Sequence, residues 1–186
     1  MEVIETTIAG VKLIRPRRHG DARGFFSEVY NRRAFAEAGI ELDFVQDNQA
    51  RSAARGTLRG LHFQPQPFAQ TKLVRVLEGA ILDVVVDLRR GSPSFGRHVA
   101  VELTAESWLQ ILVPKGLAHG YVTLVPDTAV FYKVDVYYAP AHDAGLRWDD
   151  PDLAIAWPFG RDELILSEKD ARLPRLRDLP PLFDCP

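Results

Sequence analysis

Lys72-Leu73-Val74-Arg75-Val76-Leu77-Glu78-Gly79-Ala80-Ile81-Leu82-Asp83-Val84-Val85-Val86-Asp87-Leu88 reads as two strands around one turn. Glu78-Gly79 supplies the hairpin, since glycine enters the backbone region a tight turn needs. In the second arm Leu82, Val84, Val86 and Leu88 alternate with Ile81, Asp83, Val85 and Asp87, the period-2 pattern of a strand. The same texture continues outward. Downstream, Gly91-Ser92-Pro93 makes a loop, and strands are expected over 98–103, 108–113, 120–125 and a long 128–138. Upstream, residues 11–16 and 25–30 read as strands around the turn Asp21-Ala22-Arg23-Gly24, and 44–49 as a polar strand. One short helix is expected through Phe35 to Ala38, N-capped by Asn31 and ended by Gly39. Pro151, Pro158 and the tail from Pro174 mark irregular structure. Many short strands at this spacing predict an all-β sandwich or barrel.

A chain of 186 residues is one domain's worth, so a single domain over 1–186 is expected, with its core strands roughly in 44–140. With 46% hydrophobic and 26% charged residues, it has enough apolar material for a core. A net charge of -2 argues against nucleic acid as a partner. The one cysteine, Cys185, rules out an intrachain disulfide or a cysteine-based zinc site and reads as an exposed tail residue. No apolar run approaches a membrane span, and the first residues lack a secretory signal's basic and apolar blocks, so no membrane contact and a cytoplasmic location are expected.

Two stretches carry the chemistry. In Gly56-Thr57-Leu58-Arg59-Gly60-Leu61-His62-Phe63-Gln64, simple alternation puts Arg59 and His62 on opposite faces. A glycine inside a strand often marks a bulge, and a bulge at Gly60 would bring both to one side. Pro114-Lys115-Gly116-Leu117-Ala118-His119-Gly120 has the P-x-G-x-x-H spacing of the second cupin motif, a jelly-roll signature. The first cupin motif would supply H-x-H, but here His62-Phe63-Gln64 has lost its second histidine, and no glutamate follows before Glu78. An amide oxygen replaces imidazole poorly at a transition metal, so the barrel is expected without a metal.

The chain also resembles a narrower family, the dTDP-4-dehydrorhamnose 3,5-epimerases. The matching blocks run in order: Asp21 to Glu28, Gln46-Asp47-Asn48, Leu58 to His62, Lys72 to Arg75, Asp83 to Arg89, Ser92 to Gly96, Pro114 to Gly120, Tyr132-Lys133, Trp148 to Pro151 and Ser167 to Asp170. The resemblance implies a cupin-type jelly roll with short peripheral helices and no metal or cofactor. It implies inversion of carbons 3 and 5 of dTDP-4-dehydro-6-deoxy-D-glucose. A ketone at carbon 4 acidifies the hydrogens on both neighbours, so inversion needs a base, a stabiliser for the enolate and an acid on the opposite face.

Carried over position by position, the resemblance makes His62 the base, Asp170 its partner, Tyr132 the acid and Lys72 the enolate stabiliser. Arg23 and Arg59 would hold the diphosphate, and Glu28, Gln46 and Asn48 the nucleotide. His119 would line the sugar pocket, Tyr138 would stack on thymine, and Lys169 would add positive charge. Asp143 stands where the family commonly has glutamate, and Phe63 and Leu117 replace tyrosine and phenylalanine. On pattern alone each has an ordinary reading: His62 and Tyr132 as core side chains with satisfied polar atoms, Lys72 as an edge lysine, Asp170 as a cap. A homodimer exchanging N-terminal strands is implied too, letting Arg23 and Glu28 reach the partner's pocket. Three other readings stand beside this one: a single-site epimerase at carbon 3 or 5, a non-catalytic sugar-nucleotide-binding cupin, and a metal-dependent cupin enzyme.

Overall fold

The computed structural model describes residues 1–185. Strands dominate it. The first four are β1 (Glu2–Glu5), β2 (Lys12–Arg15), β3 (Arg18–Asp21) and β4 (Gly24–Ser27). A helix, α1 (Arg32–Glu37), precedes β5 (Gln46–Ser52), β6 (Leu58–Phe63), β7 (Lys72–Glu78) and β8 (Ala80–Asp87). Then come β9 (Arg89–Arg90), β10 (His98–Thr104), β11 (Gln110–Val113), β12 (Leu117–Thr123), β13 (Thr128–Val134), β14 (Ala144–Gly145) and β15 (Phe183–Asp184). No helix among the described residues is long and apolar enough to cross a membrane.

The opening hairpin places its two arms in different sheets. β7 lies in a six-stranded sheet of order β1-β2-β11-β7-β13-β5, and β8 in a five-stranded sheet of order β10-β8-β12-β6-β14. The strand pairs within both sheets are antiparallel. Val74, Val76 and Val130 of the first sheet meet Ile81, Val85, Leu117 and Tyr121 of the second in one buried cluster. The architecture is the cupin-type jelly roll, with a cavity lined from both sheets, by β5, β7 and β13 of one and β6 and β12 of the other. The outer face of the six-stranded sheet is covered in part by α1, whose Phe35 packs with Ile14, Leu73 and Leu112. Asn31 caps that helix, its side chain accepting from the amides of Arg33 and Ala34, and Gly39 leaves it at φ +76°.

Several expected strand limits shift, among them the 44–49 strand, which is β5 at Gln46–Ser52. The 128–138 strand ends at Val134, because Val134 pairs with Lys72 and β7 begins there; Asp135 instead accepts the Thr71 amide at 2.7 Å. Tyr138 is therefore a loop residue. The strand expected from Gly120 starts at Leu117, so His119 lies inside β12 and not in a turn. Trp108 sits at φ 59°, outside the strand region, so β11 starts only at Gln110. The strand expected over 25–30 is the four-residue β4, hairpinned with β3.

Candidate active site

The site is built on a bulge. His62 of β6 pairs with His119 of β12, but Arg59 pairs with Tyr121, so β6 carries one extra residue between the two pairings. Gly60 makes this possible. It sits at φ +129°, and a Cβ there would lie 2.6 Å from the Cα of Gly120. With the bulge, Arg59 and His62 line the same cavity of about 610 Å³, as the sequence pattern anticipated.

Behind His62 stands Asp170, on a single 3₁₀ turn, Asp170–Arg172, and 3% exposed. Its Oδ1 lies 2.6 Å from His62 Nε2, and its Oδ2 accepts the Gly60 amide at 3.3 Å. The Asp170 amide in turn donates to Ser167 Oγ at 3.1 Å. Burial pushes the Asp170 carboxyl up, but the hydrogen bond and charge of His62, with the Gly60 amide and Ser167, outweigh it and hold it below the usual carboxylate value. An ionised Asp170 accepts a proton bond from Nε2, leaving Nδ1 as the nitrogen with a free lone pair.

Lys72 and Tyr132 reach the same cavity from the opposite sheet. Lys72 Nζ donates to the His62 carbonyl at 3.4 Å. Its ammonium is lowered to about 8, chiefly by burial; Asp83 and Asp143 pull it up and Lys169 pushes it down. Burial raises the Tyr132 phenol above its usual value, with Arg59 opposing, so it is protonated at neutral pH. Among the described residues Arg59 hydrogen-bonds only neutral oxygens, Ser52 Oγ at 3.3 Å and the Arg51 carbonyl at 3.4 Å, so no carboxylate there neutralises its charge.

At the rim, Asp143 ties two expected residues together. Its Oδ2 accepts the Tyr138 hydroxyl at 2.8 Å and also pairs with Lys169. Burial raises the Asp143 carboxyl, and the contacts with Lys169 and Tyr138 more than reverse that. The aspartate thus reaches both partners despite its shorter side chain.

Gln46 and Asn48 bond each other at 2.8 Å on β5, next to the rim but not in the cavity wall. Arg23 and Glu28 lie elsewhere in this chain. Arg23, with an 89% exposed side chain, pairs with Asp21, and Glu28 accepts from Asn31 at 3.2 Å.

Three site residues escaped the sequence reading. Asp83, fully buried, sits 2.8 Å from His119 Nε2 through Oδ2, while its Oδ1 has no partner. Its inward position in the β8 alternation was the available signal, since a carboxylate among valines needs a partner. Tyr121 lines the cavity beside Tyr132, and burial pushes its phenol to about 12. Ser167 lay inside a matching block but had no role assigned. No group of three or more His, Cys, Asp or Glu among the described residues is arranged to hold a metal ion.

Comparison with known proteins gives the family and the fold. The sequence model of the dTDP-4-dehydrorhamnose 3,5-epimerase family matches residues 5–178. The dTDP-4-dehydrorhamnose 3,5-epimerase of Sinorhizobium fredii is 51% identical over 177 residues, covering 95% of this chain and 90% of that protein. The crystal structure of the Bacillus anthracis enzyme of that name, with TDP and PPi bound, superposes with a TM-score of 0.91 at 53% identity, covering 94% of this chain and 98% of that one. A Legionella pneumophila dTDP-6-deoxy-D-glucose-3,5-epimerase, in complex with dTDP-4-keto-L-rhamnose, gives 0.94 at 42% identity over 100% of this chain and 98% of that one. A family match over most of the chain, relatives at this identity and a shared fold leave one assignment: the chain belongs to the dTDP-4-dehydrorhamnose 3,5-epimerase family.

Proposed function

We propose that this chain, acting as one domain, epimerises dTDP-4-dehydro-6-deoxy-D-glucose at carbons 3 and 5 to dTDP-4-dehydro-L-rhamnose, by enolate chemistry that needs no cofactor. The observation that carries the reading is the His62–Asp170 pair at 2.6 Å, opening on one cavity with Lys72 and Tyr132.

The chemistry follows from the residues. His62 Nδ1 takes the proton from a carbon next to the ketone; the C–H bonding pair forms a double bond to carbon 4, and the carbonyl π pair moves onto the carbon-4 oxygen. The Lys72 ammonium stabilises that oxyanion in a partly buried, low-dielectric setting. Asp170 holds the imidazole and balances the imidazolium that forms. The Tyr132 hydroxyl returns a proton to the carbon from the opposite face, which inverts it. Exchange of protons with solvent resets both groups, and the cycle repeats at the other carbon.

Binding divides along the cavity. Arg59 takes the diphosphate, His119 and Lys169 flank the sugar, Asp143 steadies Lys169, and Tyr138 offers its ring to thymine. Gln46 and Asn48 contact the nucleotide at the rim. Arg23 and Glu28 act from the partner of a homodimer that exchanges N-terminal strands. The hairpin β3–β4 and the turn after it hold both residues away from the cavity, and Phe25 and Phe26 there are 56% and 68% exposed. Apolar exposure of that size suits a hairpin laid on another subunit. A nucleoside-diphosphate substrate goes with a cytoplasmic location.

Incubation in deuterated water with product analysis by NMR tests the reading. Deuterium should enter at carbons 3 and 5 with both centres inverted, and His62→Asn should slow exchange at both by ~10²–10⁴-fold. Inversion at one carbon only would replace the reading with a single-site epimerase.

A further inference from the structure

The loop that follows β13 carries Tyr138 on the cavity rim, and its backbone hangs on glutamine side chains. Gln64, 5% exposed at the end of β6, does most of this. Its Nε2 donates to the Phe68 carbonyl at 2.7 Å and, more weakly, to the Tyr137 carbonyl at 3.5 Å. Its Oε1 accepts the Ala139 amide at 2.7 Å. One amide thus holds the residue before Tyr138 and the residue after it. Gln46 holds the residue between, accepting the Tyr138 amide at 3.0 Å, and Gln70 donates to the Val136 carbonyl at 2.7 Å. The phenol of Tyr138 is fixed at its far end by Asp143. The ring is therefore pinned at both ends while remaining 50% exposed at the cavity mouth. An aromatic face held in place and left open to solvent is a stacking platform for a flat base.

We infer that Gln64 is a positioning residue for nucleotide recognition: it fixes the Tyr138 platform, and it does so from the strand position where a metal-binding cupin carries its second histidine. The inference rests on the stacking role proposed for Tyr138. The physical argument concerns ordering. A loop free to move must be ordered when the base binds, and that cost comes out of the affinity. Gln64 meets the cost on folding instead. Only an amide suits the place, because the Phe68 carbonyl of the β6–β7 connection and the Tyr137 carbonyl lie on one side and the Ala139 N–H on the other. Histidine has no geometry for both, and glutamate would face two carbonyls with a negative charge.

Calorimetry with dTDP, and inhibition by inorganic pyrophosphate, on wild type, Gln64→Met, Tyr138→Ala and the double variant tests this. Tyr138→Ala should weaken dTDP about tenfold. Gln64→Met, similar in length but unable to clamp, should weaken dTDP roughly threefold to tenfold and raise KM more than it lowers kcat. Pyrophosphate inhibition should change little in either, because the diphosphate site lies with Arg59. The double variant should bind dTDP no worse than Tyr138→Ala, since the two act as one unit. If Gln64→Met does not fold, Gln64→Glu should show the same pattern. Tyr138→Ala weakening dTDP while Gln64 variants bind normally would overturn the inference and leave the stacking role standing. So would full additivity, or equal loss of dTDP and pyrophosphate, which would mark general damage to the cavity. Unchanged dTDP affinity in Tyr138→Ala would remove the stacking role and the inference with it, without touching the epimerisation.

Discussion

At the scale of single residues, Lys72, in its proposed enolate-stabilising role, sets catalysis against stability. Its folded value of about 8 lies below the ordinary 10.5 because burial disfavours the ammonium more than Asp83 and Asp143 favour it. Below pH 8 both folded and unfolded chains carry the proton, and the fold bears the full cost of a partly buried charge. Between about 8 and 10.5 the unfolded chain binds more protons than the folded one, so this cost fades as pH rises. Lys72→Met should therefore raise the melting temperature at pH 7, with the gain shrinking above pH 8 and gone beyond 10.5. The same change should lower kcat by ~10²–10³-fold, the usual effect of deleting an oxyanion donor. In the wild type, if Lys72 holds the proposed role, kcat should fall as pH rises through about 8, because the neutral amine formed there carries no charge to set against the oxyanion. Thermal melts and a kcat–pH profile check both halves; a variant that melts lower at pH 7, or a profile flat from 7 to 9, would remove Lys72 from this role.

Elements decide which of these residues meet. The β7–β8 hairpin was legible because its alternation is long and β-branched, and the cap of α1 because Asn31 and Gly39 have few other uses. The bulge in β6 was legible from Gly60, since only glycine permits so close an approach to Gly120. Gly60→Ala should therefore be among the most damaging single-methyl additions in the chain. Its Cβ would meet backbone at 2.6 Å, and φ +129° is strained for any other residue. Relief requires the two strands to part or the bulge to flatten, and flattening turns either Arg59 or His62 out of the cavity. The expected result is a loss of more than ~3 kcal/mol in a denaturant titration or, where the variant folds, activity reduced with both dTDP binding and deuterium exchange affected. Normal stability and normal exchange would show that the bulge is not what joins the two residues. What pattern could not show is pairing at a distance. His62 and Asp170 are 108 positions apart and His119 and Asp83 are 36 apart; the first pair came from family resemblance, the second from neither source. Tyr138 was misplaced in a strand for a related reason, because β13 ends where its partner β7 begins, and that limit is set by register.

The whole molecule raises the question of how many chains make one site. Within one chain the cavity is lined by His62, Tyr132, Lys72 and Arg59, while Arg23 and Glu28 lie exposed and outside it. Either these two residues serve no site, or they serve one across an interface. The exchange proposed above requires the second, and isologous symmetry makes it reciprocal: each subunit lends Arg23 to the other and keeps its own His62. Complementation distinguishes the cases without any structure of the complex. Arg23→Ala alone should weaken dTDP, and His62→Ala alone should abolish exchange. When the two variants are unfolded together and refolded as a mixture, a mixed dimer contains one site with His62 from the first chain and Arg23 from the second. Its other site lacks both. Random pairing puts about half the molecules in mixed dimers, so about a quarter of all sites should regain wild-type kcat/KM, measured with a coupling reductase that accepts only the doubly inverted product. If each site draws Arg23 from its own chain, mixing restores nothing, and activity stays at the average of the two variants. Recovery of the predicted fraction with a matching fraction of high-affinity dTDP sites by calorimetry would tie the N-terminal hairpin to the partner's cavity; recovery absent in a sample shown by mass to contain mixed dimers would overturn the exchange of Arg23 between subunits.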